Sequence, residues 1–186
     1  MNLKKLFETQ KILRDRIKYE GEDRFEKLIL ALLVELGECA NEWQGFKFWK
    51  RNSKPRTRVK KEIGSDLDGW TVHKMTNPLL EEYVDGLHFV MEIGIEIADE
   101  IQFDVSDYFS DIKSEINGKQ QKSKNTVEQF NYIFYLTTTS GYDFCFEYLF
   151  AAYYHLGEML GFTWEEIEQA YYEKNKINHQ RQEDGY

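Results

Sequence analysis

An all-α helical bundle is the fold this sequence predicts, and three observations carry that expectation. Only two prolines occur, Pro55 and Pro78, and both lie in polar stretches, too few for a turn-rich β architecture. Leu3, Leu6, Phe7, Gln10, Leu13 and Ile17 recur at helical spacing from the start of the chain. The 186 residues are 41% apolar and 16% aromatic, enough for one domain with a real core and too apolar for a wholly disordered chain.

Taken in order, residues 2 to 19 read as a first helix. A second runs from Arg24 to about Phe46 through FEKLILALLVELGECANEW. The stretch 47–77 is the least regular, with Gly64, Gly69 and Asn77-Pro78, and is expected to be an enlarged loop or insertion. Pro78 suits the first turn of a third helix reaching about Ile101. Asp104 or Ser106 suits the cap of a short fourth helix to Ile116, and 117–125 is a polar loop. Residues 126 to 160 form a long helical stretch with a candidate break at 137–143. The last helix starts near Thr163, which with Glu166 has the spacing of a capping box. No repeat, low-complexity segment or linker interrupts residues 1–186, so a single domain is expected.

The net charge of -9 argues against binding to duplex nucleic acid, which needs a basic surface. It leaves room for a small phosphorylated ligand reached through metal ions. Cys39 and Cys145 lack CxxC spacing and read as buried free thiols in a reducing compartment. The N-terminal MNLKKLFETQ has no hydrophobic targeting region, and no apolar run approaches the ~18 residues of a membrane span. A soluble cytoplasmic protein is the expectation.

From Leu28 to Leu36 the second helix is apolar on every side except at Glu35. A helix apolar all round is buried, so its lone carboxylate must neutralise or find a partner. Glu38 follows at i+3 on the same face, where two like charges repel unless a cation lies between them. In the third helix Glu82 and Asp85 repeat the spacing among Leu79, Leu80, Leu87, Val90 and Ile93. Packed together, the two helices gather four carboxylates, hard oxygen ligation suited to Mg²⁺ or Mn²⁺. A single such pair is ordinary on a solvated face, and for Glu82, beside Glu81, that reading stays open. His88 makes one Asp-x-x-His with Asp85, but no second copy occurs, so a carboxylate-bridged iron site is the weaker reading. His73, His155 and His179 read as surface or packing residues. The aromatic run 129–154 reads as core and dimer interface, and the basic cluster 50–61 as a solvated loop. The ending KNKINHQRQEDGY is either a frayed tail or a segment that grips a ligand.

ELGE (35–38), EEYVDGLHF (81–89) and KNKINHQRQEDGY (174–186) resemble the all-α dimeric dUTPases, within the superfamily of MazG-like nucleoside triphosphate pyrophosphohydrolases. The resemblance spans Gln10 to Tyr186. The ending and FKFWK (46–50) point to the bacterial and phage branch. It implies a homodimer in which Glu35, Glu38, Glu82 and Asp85 hold Mg²⁺, with Mn²⁺ as an alternative, against the phosphates of dUTP or dUDP. Glu35 is implied to be catalytic, orienting and deprotonating the attacking water. Phe89 matches the aromatic that packs on the deoxyribose, and Gln10 the amide that reads the uracil edge. Trp49 and Lys50 fall in a segment near base and phosphates. Lys174 and Arg181 suit phosphate, while Asn175 and Asn178 suit base or phosphate. On this reading the tail orders over bound nucleotide.

One departure stands out. The 43 residues between Glu38 and Glu82 exceed what the family usually places there. They include Glu62 and Asp66, rival carboxylates in a poor context for a buried helix. Two other functions compete: a MazG-like pyrophosphohydrolase acting on dCTP or other nucleotides, and a regulatory protein that binds a partner through 47–77.

Overall fold

The computed structural model describes residues 1–65, 70–139 and 145–185. Within them α1 spans Leu3–Ile17, α2 Arg24–Trp43, β1 Val59–Ser65, β2 Thr71–Thr76 and α3 Pro78–Glu100. A 3₁₀ turn at Val105–Tyr108 leads into α4, Phe109–Gly118, followed by α5, Thr126–Thr138, α6, Phe146–Met159, and α7, Trp164–Glu183. The all-α expectation holds.

Local chemistry sets these boundaries. Asn2, Asn77, Asn125 and Thr163 each accept a hydrogen bond from a first-turn amide, supplying the N-caps of α1, α3, α5 and α7. Thr163 and Glu166 complete the capping box expected from their spacing. Asp104 caps the 3₁₀ turn by accepting from the Ser106 amide. The second helix ends earlier than expected, because Gln44 adopts a left-handed conformation (φ 60°) and its N–H returns to the Ala40 carbonyl. The stretch 126–160 divides into α5 and α6. Most of the candidate break at 137–143 falls outside the described residues.

Helix α3 is the centre of the bundle, packing against α1, α2, α6 and α7. Its approach to α6 is close. A Cβ at Gly86 would lie 2.2 Å from the Tyr153 hydroxyl, and one at Gly157 would lie 2.6 Å from that of Tyr83. The space these glycines leave lets each tyrosine donate to the other's backbone carbonyl, Tyr83 at 2.9 Å and Tyr153 at 2.7 Å. Both rings are fully buried, so each hydroxyl needs such a partner.

Three expectations change. The segment 47–77 carries an antiparallel hairpin, with Val59 opposite Thr76 and a bulge between Glu62 and Gly64. Its strand residues from Lys60 to Gly64 and from Thr71 to Met75 are exposed, so it stands away from the core. Glu62 therefore lies on a strand, while Asp66 is outside the described residues. Helix α2 is not buried all round, since Leu30 and Val34 are 62% and 48% exposed. Cys39 is buried as expected, but Cys145 is exposed.

Candidate functional site

Glu35 and Glu38 project from α2 toward Glu82 on α3, and one carboxylate oxygen of each lies within 4.8 Å of the others. Asp85, one turn on from Glu82, accepts a charge-assisted hydrogen bond from the Lys174 ammonium of α7. Burial, then the charges of Asp85 and Glu38, push the Glu35 carboxyl up to about 7. Burial, then Asp85, Glu38 and Glu35, push Glu82 up to about 7 as well. Asp85 is raised by burial against the opposing pull of Lys174 and Arg181. Half-buried Glu35, Glu82 and Asp85, with the exposed Glu38 beside them, are a hard-oxygen donor set, so these residues fit Mg²⁺ or Mn²⁺. Among the described residues, the cluster contains no histidine. His88 lies outside that cluster and sets Nδ1 against Gln10.

One turn away along both helices lies a cavity of about 440 Å³, the size of a small-molecule site. Ala31 stands one turn before Glu35 on α2 and Phe89 one turn after Asp85 on α3, and both line it. Leu13 and Leu28 add apolar wall, and Asn178 and Arg181 of α7 complete it. The ending read as frayed or gripping is thus the second half of a helix that runs unbroken to Glu183; Tyr186 lies outside the described residues. Tyr171, Lys174, Asn178 and Arg181 recur at three- and four-residue intervals, one stripe of a helix packed on α1 and α3. Asn175 belongs to the same stripe. It is buried, with its Nδ2 unpartnered among the described residues.

Gln10 lies in the cavity wall and is held on both sides. Its Nε2 donates to Glu92 Oε1 at 2.7 Å, and its Oε1 accepts from the Tyr171 hydroxyl at 2.7 Å. His88 Nδ1 is 2.8 Å from the same oxygen. An amide oxygen only accepts, so His88 carries its proton on Nδ1. Burial and the Lys174 charge lower its pKa to about 3, so the ring is neutral. Glu92 is raised by burial, against hydrogen bonds from Gln10 and Arg14. Arg14 Nη1 lies 3.0 Å from Glu92 Oε2, and Nη2 reaches Glu96 and Asp99.

The structure thus brings Glu35, Glu38, Glu82, Asp85 and Lys174 to one locus and Gln10, Phe89, Asn178 and Arg181 to the adjoining cavity. Trp49 and Lys50 are not in that cavity's wall. Trp49 is 64% exposed in the turn after α2, beside Phe46 and Phe48, and Lys50 donates to Gln44 Oε1 at 2.8 Å. Sequence reading missed Glu92, Arg14 and Tyr171. Glu92 had a usable signal, because VMEIGIEI is as apolar a setting as the one that singled out Glu35.

Fold and site together define an all-α protein with a carboxylate cluster beside a nucleoside-sized cavity. A family model described as dUTPase matches residues 2–67 and 69–186. The chain belongs to this all-α dUTPase family, and so to the hydrolases, as a dUTP diphosphatase. A search of curated proteins finds no match to the chain.

Proposed function

We propose that the chain hydrolyses dUTP to dUMP and pyrophosphate in a Mg²⁺-dependent reaction, with dUDP as a further substrate. The observation that carries this reading is the carboxylate cluster of Glu35, Glu38 and Glu82, with Asp85 beside it, one helical turn from an apolar cavity with an amide in its wall. Glu35, Glu38, Glu82 and Asp85 hold Mg²⁺, or Mn²⁺ in its place. Bound there, the ion neutralises phosphate charge and polarises the phosphorus toward attack. Glu35 orients the attacking water and accepts its proton at a carboxylate oxygen. Phe89 packs on the deoxyribose and Gln10 reads the base. Lys174 and Arg181 face the phosphates, with Asn175 and Asn178 as polar contacts. Trp49 and Lys50 contact substrate only if the turn after α2 swings toward the cavity.

A hydrolysis panel of dUTP, dUDP, dCTP and the other nucleotides in Mg²⁺ tests this. Cleavage of dUTP ahead of dCTP is expected. Cleavage of dCTP with dUTP untouched would favour the broader MazG-like activity.

Two assembly readings have specific support. Leu30 and Val34 of α2 and Val127 and Tyr135 of α5 are exposed apolar side chains on two helices that pack together, which supports a homodimer. Sedimentation equilibrium at twice the monomer mass is expected. The hairpin leaves Ile63, Val72 and Met75 exposed on a ribbon covered on neither face, which supports a regulatory partner binding there. A pull-down that needs the hairpin but survives Glu35→Gln is the corresponding test.

A further inference from the structure

The Gln10 amide has four hydrogen-bonding valences, two N–H donors and two oxygen lone pairs. Three are already occupied. Glu92 takes one N–H, while Tyr171 and His88 fill both lone pairs. Turning the amide over would set its oxygen against the Glu92 carboxylate and its NH₂ against two donors, so all three bonds favour one orientation. Gln10 is 2% exposed, and the cavity it lines is where its remaining valence can be used.

The orientation depends on groups that do not line up with any phosphate or metal role. Glu92 can hold the Gln10 N–H only while it remains an acceptor, and Arg14 at 3.0 Å keeps it one. Arg14 is itself held by Glu96 and Asp99, and Arg24 approaches Glu96 at 3.7 Å. A relay therefore runs from the far end of α3 through Arg14 and Glu92 to the amide.

We propose that Glu92 and Arg14 are positioning residues for base discrimination: they lock Gln10 so that it offers the cavity a single N–H donor and no acceptor. This rests on the dUTP reading above. A lone donor matches the carbonyl that uracil carries at ring position 4. Cytosine carries an amino group there, so donor would face donor. Without the lock the amide can turn over, present its oxygen, and accept from that amino group.

The test compares kcat/KM for dUTP and dCTP in Mg²⁺ for the wild-type protein, Glu92→Gln and Arg14→Lys. Wild type is expected to prefer dUTP. Glu92→Gln is expected to lower that preference about tenfold or more, the scale of one mispaired hydrogen bond. The change should fall mainly on KM, leaving kcat for dUTP within a few-fold. Arg14→Lys, which keeps the charge but not the fork that grips three carboxylates, is expected to show a smaller shift in the same direction and decides the matter if Glu92→Gln does not fold. A purely structural role would lower activity on both substrates alike and leave the ratio intact. An unchanged ratio in a folded variant overturns the inference. A wild-type enzyme that does not cleave dUTP overturns the function reading itself, and the inference with it.

Discussion

Helix α3 carries acids along a single face at alternating three- and four-residue steps: Glu82, Asp85, then Phe89, then Glu92, Glu96 and Asp99. The two ends of this stripe are treated in opposite ways. At the far end Arg14 and Arg24 meet the carboxylates, and Glu92 also accepts from Gln10. At the near end Glu82 faces two more glutamates, and Lys174 pairs with Asp85 while its charge offsets only part of the repulsion on Glu35 and Glu82. The same residue types in the same helix thus make a closed network at one end and a standing repulsion at the other. Burying charge without compensation is costly, which supports the proposed cation at the open end, while the closed end is satisfied within the chain.

Substitutions can break this contrast. The largest effect is expected from Glu35→Gln, which should lower turnover about 10²- to 10⁴-fold by removing the proposed general base. The same change relieves repulsion, so the metal-free variant should melt above the wild type in calorimetry. A lower melting temperature would mean that Glu35 is compensated after all. At the closed end the signs reverse. Glu92→Ala should cost about 1–3 kcal/mol in a urea titration, because Gln10 and Arg14 each lose a buried partner. A stabilising Glu92→Ala would erase the distinction between the two ends.

The pH dependence sharpens it further. Glu35 and Glu82 have folded-state pKa values near 7, above their ordinary 4.5, so the native state holds protons that the unfolded state releases. Below about pH 4.5 both states are protonated and the repulsion is silent; stability then falls as pH rises toward 7 and levels off beyond it. Mg²⁺ needs the ionised form, so the rise in melting temperature on adding it should be larger near pH 8 than near pH 5.5. Equal shifts at the two pH values would place the ion elsewhere. The smallest effect is expected from replacing 59–76 by a short turn, which should leave kcat/KM for dUTP within a few-fold of wild type.

Sequence alone reached the open end and not the closed one, although both lie in apolar runs. Glu35 was legible because nothing nearby could neutralise it, and its partners sat at recognisable spacing. Glu92 needed the knowledge that α1 lies along α3, which no local pattern contains. The stripe on α7 was visible as a list of polar residues, but its function depended on which face of the helix met α1 and α3. The hairpin was illegible for a different reason. Alternation marks a strand when one face is buried, and here neither is, so VKKEIG and TVHKMT carry no period-two signal.

That hairpin leaves the body and returns to it at a single doorway, because Val59 and Thr76 are paired across its base. Arg56 fastens the approach, with its guanidinium on Glu42 at 2.7 Å and its carbonyl accepting from the Leu79 amide. Changes beyond the doorway are therefore expected to leave the helices that carry the carboxylates in place. Such an arm is expected to tolerate replacement that the packed helices would not.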